Sequence, residues 1–113
     1  MLIYLGLLLL LLSCSENPQA DATNELAASF DGSPAREDIL KANAAFNEGR
    51  YKDSLLLLHK VVNHTNLTER QRAAMAGIVG ELLKVVHDDP ELSRDTQLHR
   101  MMELLVRRTM GET

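Results

Sequence analysis

The chain has 113 residues, a formal charge of −4 from 12 Lys and Arg against 16 Asp and Glu, and a single cysteine, Cys14. That length supports one small domain, and a lone cysteine excludes an intramolecular disulfide. With aromatics at 4% of residues and no basic excess, a surface for stacking and neutralising nucleic acid cannot be assembled.

Residues 1–13 read MLIYLGLLLLLLS, an apolar run without a charge that stops at Cys14 and the polar stretch Ser15-Glu16-Asn17-Pro18-Gln19. A spanning helix needs roughly 20 apolar residues, so the run is too short to cross a bilayer. Its length suits the apolar region of a secretory signal. Leu11-Leu12-Ser13-Cys14 resembles the lipobox of bacterial lipoproteins, with Leu three positions before the cysteine and a small residue just before it. The resemblance implies cleavage after Ser13 and lipidation of Cys14. Leu12 is bulkier than the family's usual residue. No Lys or Arg precedes the apolar run, which leaves room for a start upstream of Met1. By the sorting pattern of such lipoproteins, Ser15 rather than Asp after the lipidated cysteine implies the outer membrane's periplasmic face if the envelope is Gram-negative.

Residues 14–33 are expected to form a flexible acidic tether. Between Ser15 and Ala35 every charged residue is acidic (Glu16, Asp21, Glu25, Asp31), while from Arg36 onward basic and acidic residues balance. The segment is rich in Ser, Asn, Asp, Ala and Pro and lacks a sustained apolar period, so it cannot offset its own ordering entropy. As a coil of about 20 residues it would span on the order of 25 Å. Leu26 and Phe30 are the two side chains able to dock on a domain.

Residues 34–110 read as all-α, with four helices at about 34–48, 51–63, 69–87 and 91–109 arranged as two antiparallel hairpins. Ser33-Pro34 offers a cap followed by proline at the first helical position. The first helix then buries Ile39, Ala42, Ala45 and Phe46, and Gly49 ends it. In the second, Leu55, Leu58, Val61 and Val62 share one face and Leu56 and Leu57 add another. Thr68 and Gln71 form a capping box that opens the third, whose core face carries Met75, Val79, Leu82 and Val86. Its Ala73, Ala76, Gly77 and Gly80 are small enough for another helix to approach. Each glycine costs roughly 1 kcal/mol of helix propensity, so close packing is the expected compensation. Asp89-Pro90 repeats the cap-then-proline start, and the fourth helix should bury Leu98, Met101 and Leu105, with Met102 a further candidate. Arg107 and Arg108 suit its C-terminal dipole.

The segment Ala44-Ala45-Phe46-Asn47-Glu48-Gly49-Arg50-Tyr51-Lys52-Asp53-Ser54-Leu55 resembles the centre of a tetratricopeptide repeat. An aromatic residue precedes a turn glycine, another follows two positions later, and small Ser54 lets the helices approach. Leu58 and Val61 take the later large and small positions. The family's proline closing the second helix is absent, and the third and fourth helices do not reproduce the pattern. The resemblance implies a protein-binding role, and no single ligand residue carries over from it. A contact groove is expected on the side of the first three helices, near Asn43, Asn47, Tyr51 and Lys84.

Chemistry is sparse. His59 and His64 are five apart and no His-Glu-x-x-His motif occurs. His87-Asp88-Asp89 fits a helix end better than a metal site. Gly77-Ile78-Val79-Gly80 lies within a helix and lacks the Lys-Ser/Thr of a phosphate loop. The sequence thus points to a non-enzymatic envelope lipoprotein without cofactor or metal, anchored by Cys14 and binding a protein partner. The alternative is a spacer or self-associating subunit, motivated by the apolar surplus at Leu56 and Leu57.

Overall fold

A computed structural model describes residues 17–109, all of whose regular structure is helical. The expected signal segment 1–13, the first residues of the expected tether (Cys14, Ser15 and Glu16) and the residues beyond 109 lie outside the described residues. Among the described residues there are six helices in chain order: α1 Pro18–Ser29, α2 Arg36–Asn47, α3 Tyr51–His64, α4 Glu69–Asp88, α5 Pro90–Ser93 and α6 Thr96–Thr109. No helix among the described residues is long and apolar enough to cross a membrane.

Helices α2 and α3 pack against each other across a turn at Gly49. Gly49 takes φ +79°, a conformation that favours glycine. The Gly49 and Arg50 amides donate to Phe46 and Ala45 carbonyls at 3.1 and 2.8 Å, closing the end of α2. Across the turn Phe46 and Tyr51 meet edge to face, with centroids 5.7 Å apart. Ser54 is buried, and its Oγ has no hydrogen-bond partner. The start of α2 differs: Ser33 Oγ accepts from the Ala35 amide at 3.1 Å, so Pro34 sits in a turn and the helix begins at Arg36.

The expected flexible tether is instead largely helical. Asn17 Oδ1 accepts from the Ala20 amide at 3.1 Å and Pro18 takes the first position, which starts α1. Leu26 and Phe30 are completely buried and Ala22 packs beside them. These three positions, four apart, form a narrow stripe that local composition conceals. The stripe inserts between α2 and α4, and α1 packs against both. Polar links hold it there. Asn43 Nδ2 donates to the Thr23 carbonyl at 2.9 Å, Gln71 Nε2 donates to the Ser29 carbonyl at 3.1 Å, and Arg70 grips Glu25 through two bonds of 3.0 and 3.1 Å.

Gln71 has a double role. It completes the expected capping box, accepting from the Thr68 amide while its own amide donates to Thr68 Oγ1, both at 3.0 Å. Its side-chain nitrogen remains free to cap the end of α1.

The expected fourth helix is two helices. Asp89 Oδ1 accepts from the Glu91 and Leu92 amides, as a cap should. A second cap follows at Asp95, which accepts from the Leu98 amide at 3.1 Å and binds Lys52 Nζ of α3 at 2.7 Å. A residue capping a new helix cannot also continue the old one, so the chain turns at Arg94 and Asp95. The resulting rotation of α6 buries Met102 fully and leaves Met101 half-buried.

In cross-section α2 lies on α3, α3 on α6, α6 on α4, α4 on α1 and α1 on α2. Leu55, Leu58, Met75, Ile78, Leu82, Leu98 and Leu105 fill the space they enclose. Leu57 and Val62 pack on that core while Leu56 stays 59% exposed. Gly77 and Gly80 do not adjoin another helix: a Cβ at either would meet nothing within 4 Å. They lie on the outer side of α4, across the helix from Ile78 and Leu82.

Replacing Phe30 by Ala is expected to cost about 3–5 kcal/mol, because the cleft between α2 and α4 loses its filler. Gly77→Ala is expected to stabilise by up to ~1 kcal/mol. Urea unfolding of both variants measures the contrast; an unstable Gly77→Ala would mean that its outer side is occupied.

Candidate functional site

The four residues of the expected groove do not converge on one open surface. Asn43, on α2, is only 9% exposed and is committed through Nδ2 to α1, while its Oδ1 has no hydrogen-bond partner. Asn47, the last residue of α2, is exposed. Tyr51 is half-buried and lines a depression of about 300 Å³ with Gly49, Arg50, Lys52, Leu92 and Leu98. Lys84 stands on the exposed side of α4, bonded to Glu81 at 3.1 Å. Helix α1 fills the groove expected between the first hairpin and the third helix, and Asn43 serves as one of its fastenings.

An open apolar surface lies between α4 and α6. One depression of about 520 Å³ is lined by Leu83, His99, Met102, Glu103, Val106 and Arg107. A second, of about 450 Å³, continues it past Lys84, Val86, His87 and Ser93, and shares Leu83 and His99. Together they form a groove along the helix pair. Leu83 is 44% exposed at its centre, and buried Met102 and Val86 contribute to its floor. Its rim is polar: Arg107 bonds Glu103 at 2.9 Å, and His99 donates through Nε2 to the Ser93 carbonyl at 2.7 Å. The sequence signal for this groove is the Leu82-Leu83 pair. Adjacent residues on a helix point about 100° apart, so only one of them can occupy the centre of the core face.

His59 donates through Nε2 to the Met101 carbonyl at 2.8 Å, tying α3 to α6. Among the described residues no three His, Cys, Asp or Glu side chains gather to hold a metal ion. The Arg70 hydrogen bond lowers the Glu25 pKa below its ordinary value; the Lys52 bond does the same for Asp95, with the Leu98 amide adding to it. Both carboxylates belong to links between helices and neither faces the α4–α6 groove. The chain matches no family model, no curated protein and no solved structure.

These depressed pKa values fix the sign of a pH effect. A carboxylate with a lowered folded pKa adds stability above its unfolded pKa and loses it as pH falls through the folded value. Acidification below the ordinary carboxylate range is therefore expected to loosen α1 at Glu25 and the start of α6 at Asp95. Hydrogen exchange should rise first in these two places, and a Glu25→Gln variant should show a weaker acid dependence at α1.

Proposed function

We propose that this chain is a lipid-anchored module of the bacterial cell envelope that acts by binding protein, with the α4–α6 groove as its contact surface. The groove carries the reading. It is a continuous apolar depression with a polar rim, the form in which a small protein presents a contact to an external segment. The cleft on the α2–α3 side is already filled by α1, so the contact surface moves to the other side of α4. Lys84 belongs to the new surface, whereas Asn43 does not.

Support for the anchor comes from the sequence. Leu11-Leu12-Ser13-Cys14 has the form of a lipobox, and Ser15 favours the outer membrane in a Gram-negative envelope. Cys14 stands three residues before Asn17, which caps α1. A lipid on Cys14 would therefore hold the helical domain close to the bilayer surface, since three extended residues reach only about 10 Å. The likeness of the α2–α3 hairpin to a tetratricopeptide repeat also favours a protein-binding role. Hydrolytic or redox chemistry finds no arrangement of side chains to support it among those described.

Two measurements test the two halves separately. Cys14→Ser is expected to abolish lipid labelling and move the protein from the membrane to the soluble fraction; retained label would refute the anchor. Val106→Asp places a charge in the groove at a half-buried position and is expected to remove partners recovered by crosslinking in native membranes. Unchanged recovery, with the variant still folded by circular dichroism, would refute the groove.

A further inference from the structure

We infer that the outer face of the α3–α6 seam docks an acidic amphipathic helix of a partner protein. This surface lies on the opposite flank of α6 from the α4–α6 groove, and its occupation requires neither that groove nor the anchor.

Two links fix the seam. Lys52 Nζ meets Asp95 at 2.7 Å and His59 Nε2 donates to the Met101 carbonyl at 2.8 Å, so α3 and α6 lie side by side and run in the same direction. Leu56 is one turn from both Lys52 and His59, and Leu104 is one turn past Met101, which brings both leucines to the solvent side of the seam. They are 59% and 48% exposed, more than any other large apolar side chain among the described residues. Met101, half-buried, lies between them. Leu56 and Leu104 thus stand on opposite banks of a shallow trough, offset by about 8 Å along it. A helix laid in the trough would meet both banks with apolar residues at i, i+4 and i+7. A flat bilayer would touch the banks and miss the floor.

Charge decides which kind of helix fits. Lys52 and Lys60, each one turn from Leu56, are exposed, whereas Asp95 and Asp38, the carboxylates they bind, are half-buried, so the positive ends face water. On the other bank Arg100 and Arg108, each four residues from Leu104, are exposed and form no ion pair among the described residues. The exposed acids of these two helices are held elsewhere. Asp53 bonds Arg50 at the start of α3, and Glu103 bonds Arg107 beside the α4–α6 groove. Four cations therefore surround two exposed leucines. The acidic side chains of α1, Asp21 and Glu25, stand across the ring of helices, farther away than the roughly 8 Å over which physiological salt leaves exposed charges in contact. An apolar stripe edged on both sides by carboxylates complements this surface. Its apolar side chains fill the trough, and its Asp or Glu side chains meet Lys52 and Lys60 on one bank and Arg100 and Arg108 on the other.

The test uses the full chain in phosphatidylcholine nanodiscs, titrated with a labelled helical peptide that carries leucines on one face and glutamates on both flanks. A second peptide has lysine in place of every glutamate. The glutamate peptide is expected to bind roughly tenfold or more tightly than the lysine peptide, and added salt should weaken it. Leu56→Asp combined with Leu104→Asp should lower its affinity by roughly tenfold or more, with helical signal and thermal stability kept, because both positions are exposed. Arg100→Glu combined with Arg108→Glu should reverse the preference, so that the lysine peptide binds better; a merely structural role for the arginines would not produce that reversal. The inference is overturned if the two peptides bind alike, if the double leucine variant binds unchanged, or if the arginine exchange leaves the preference as it was. Binding lost on Val106→Asp but kept by the double leucine variant would also overturn it, by placing the peptide in the α4–α6 groove. Asn63→Cys, exposed on the α3 bank, distinguishes a bilayer as occupant. A soluble maleimide is expected to label it at equal rates in phosphatidylcholine and phosphatidylglycerol discs, above the background of wild-type protein, whose only cysteine is Cys14. Shielding by phosphatidylglycerol alone would give the face to anionic lipid and overturn the inference. Loss of native partners on Val106→Asp bears on the groove alone, so the two surfaces fail separately.

Discussion

The insertion of Leu26 and Phe30 between α2 and α4 is the contact on which the remaining arrangement depends. A domain of this size has little core to spare, and two completely buried side chains are a large share of what excludes water from its centre. Their burial orders a segment whose other residues are mostly small or polar. The same insertion determines where α4 lies, because α1 is its neighbour on one side and α6 on the other. The direction in which α4 presents its outer face follows from that placement.

Polar side chains make the arrangement specific. Phe30 alone would fit many apolar clefts, but Asn43, Gln71 and Arg70 each meet a particular atom of α1. Gln71 couples two events, since the amide that closes the capping box of α4 also caps the end of α1. Helix initiation and docking are thereby held by one side chain. On the opposite side of the domain Asp95 has a parallel position: it starts α6 and pairs with Lys52 of α3. Two places in the ring of helices are thus each fixed by one residue serving a cap and a tertiary link.

Once α1 occupies its cleft, the open surfaces are on the far side of the molecule. The α4–α6 groove supplies apolar area, and the adjoining outer face of α4 carries the small residues Ala73, Ala76, Gly77 and Gly80. A membrane anchor would strengthen contacts made through that groove. Confinement near a bilayer raises the effective concentration of one chain around another, so modest complementarity suffices there where it would be weak in dilute solution.

The sequence by itself determined the helices whose apolar residues recur with a 3.6-residue period and whose ends carry side-chain caps. For α4 both signals agree, so Met75, Leu82 and the Thr68–Gln71 box were legible, while in α3, which has no side-chain cap, the apolar period alone made Leu55 and Leu58 legible. The chemistry expected of Cys14 is also a matter of sequence, because it depends on the residues immediately before it. Only the tertiary structure decided the fate of residues 18–30: their stripe of Ala22, Leu26 and Phe30 is too narrow to announce a helix and gains its value from a cleft built by distant residues. It likewise decided that Asp95 breaks the last long helix, since its Lys52 partner lies over 40 positions away in the chain. Of the expected groove residues, Lys84 was placed beside an open surface and Asn43 beneath a helix, a distinction that one-dimensional spacing does not contain. The small residues of α4 show the same limit. Periodicity puts Ala73, Ala76, Gly77 and Gly80 on one face, but the packing of α1 and α6 decides that this face looks outward.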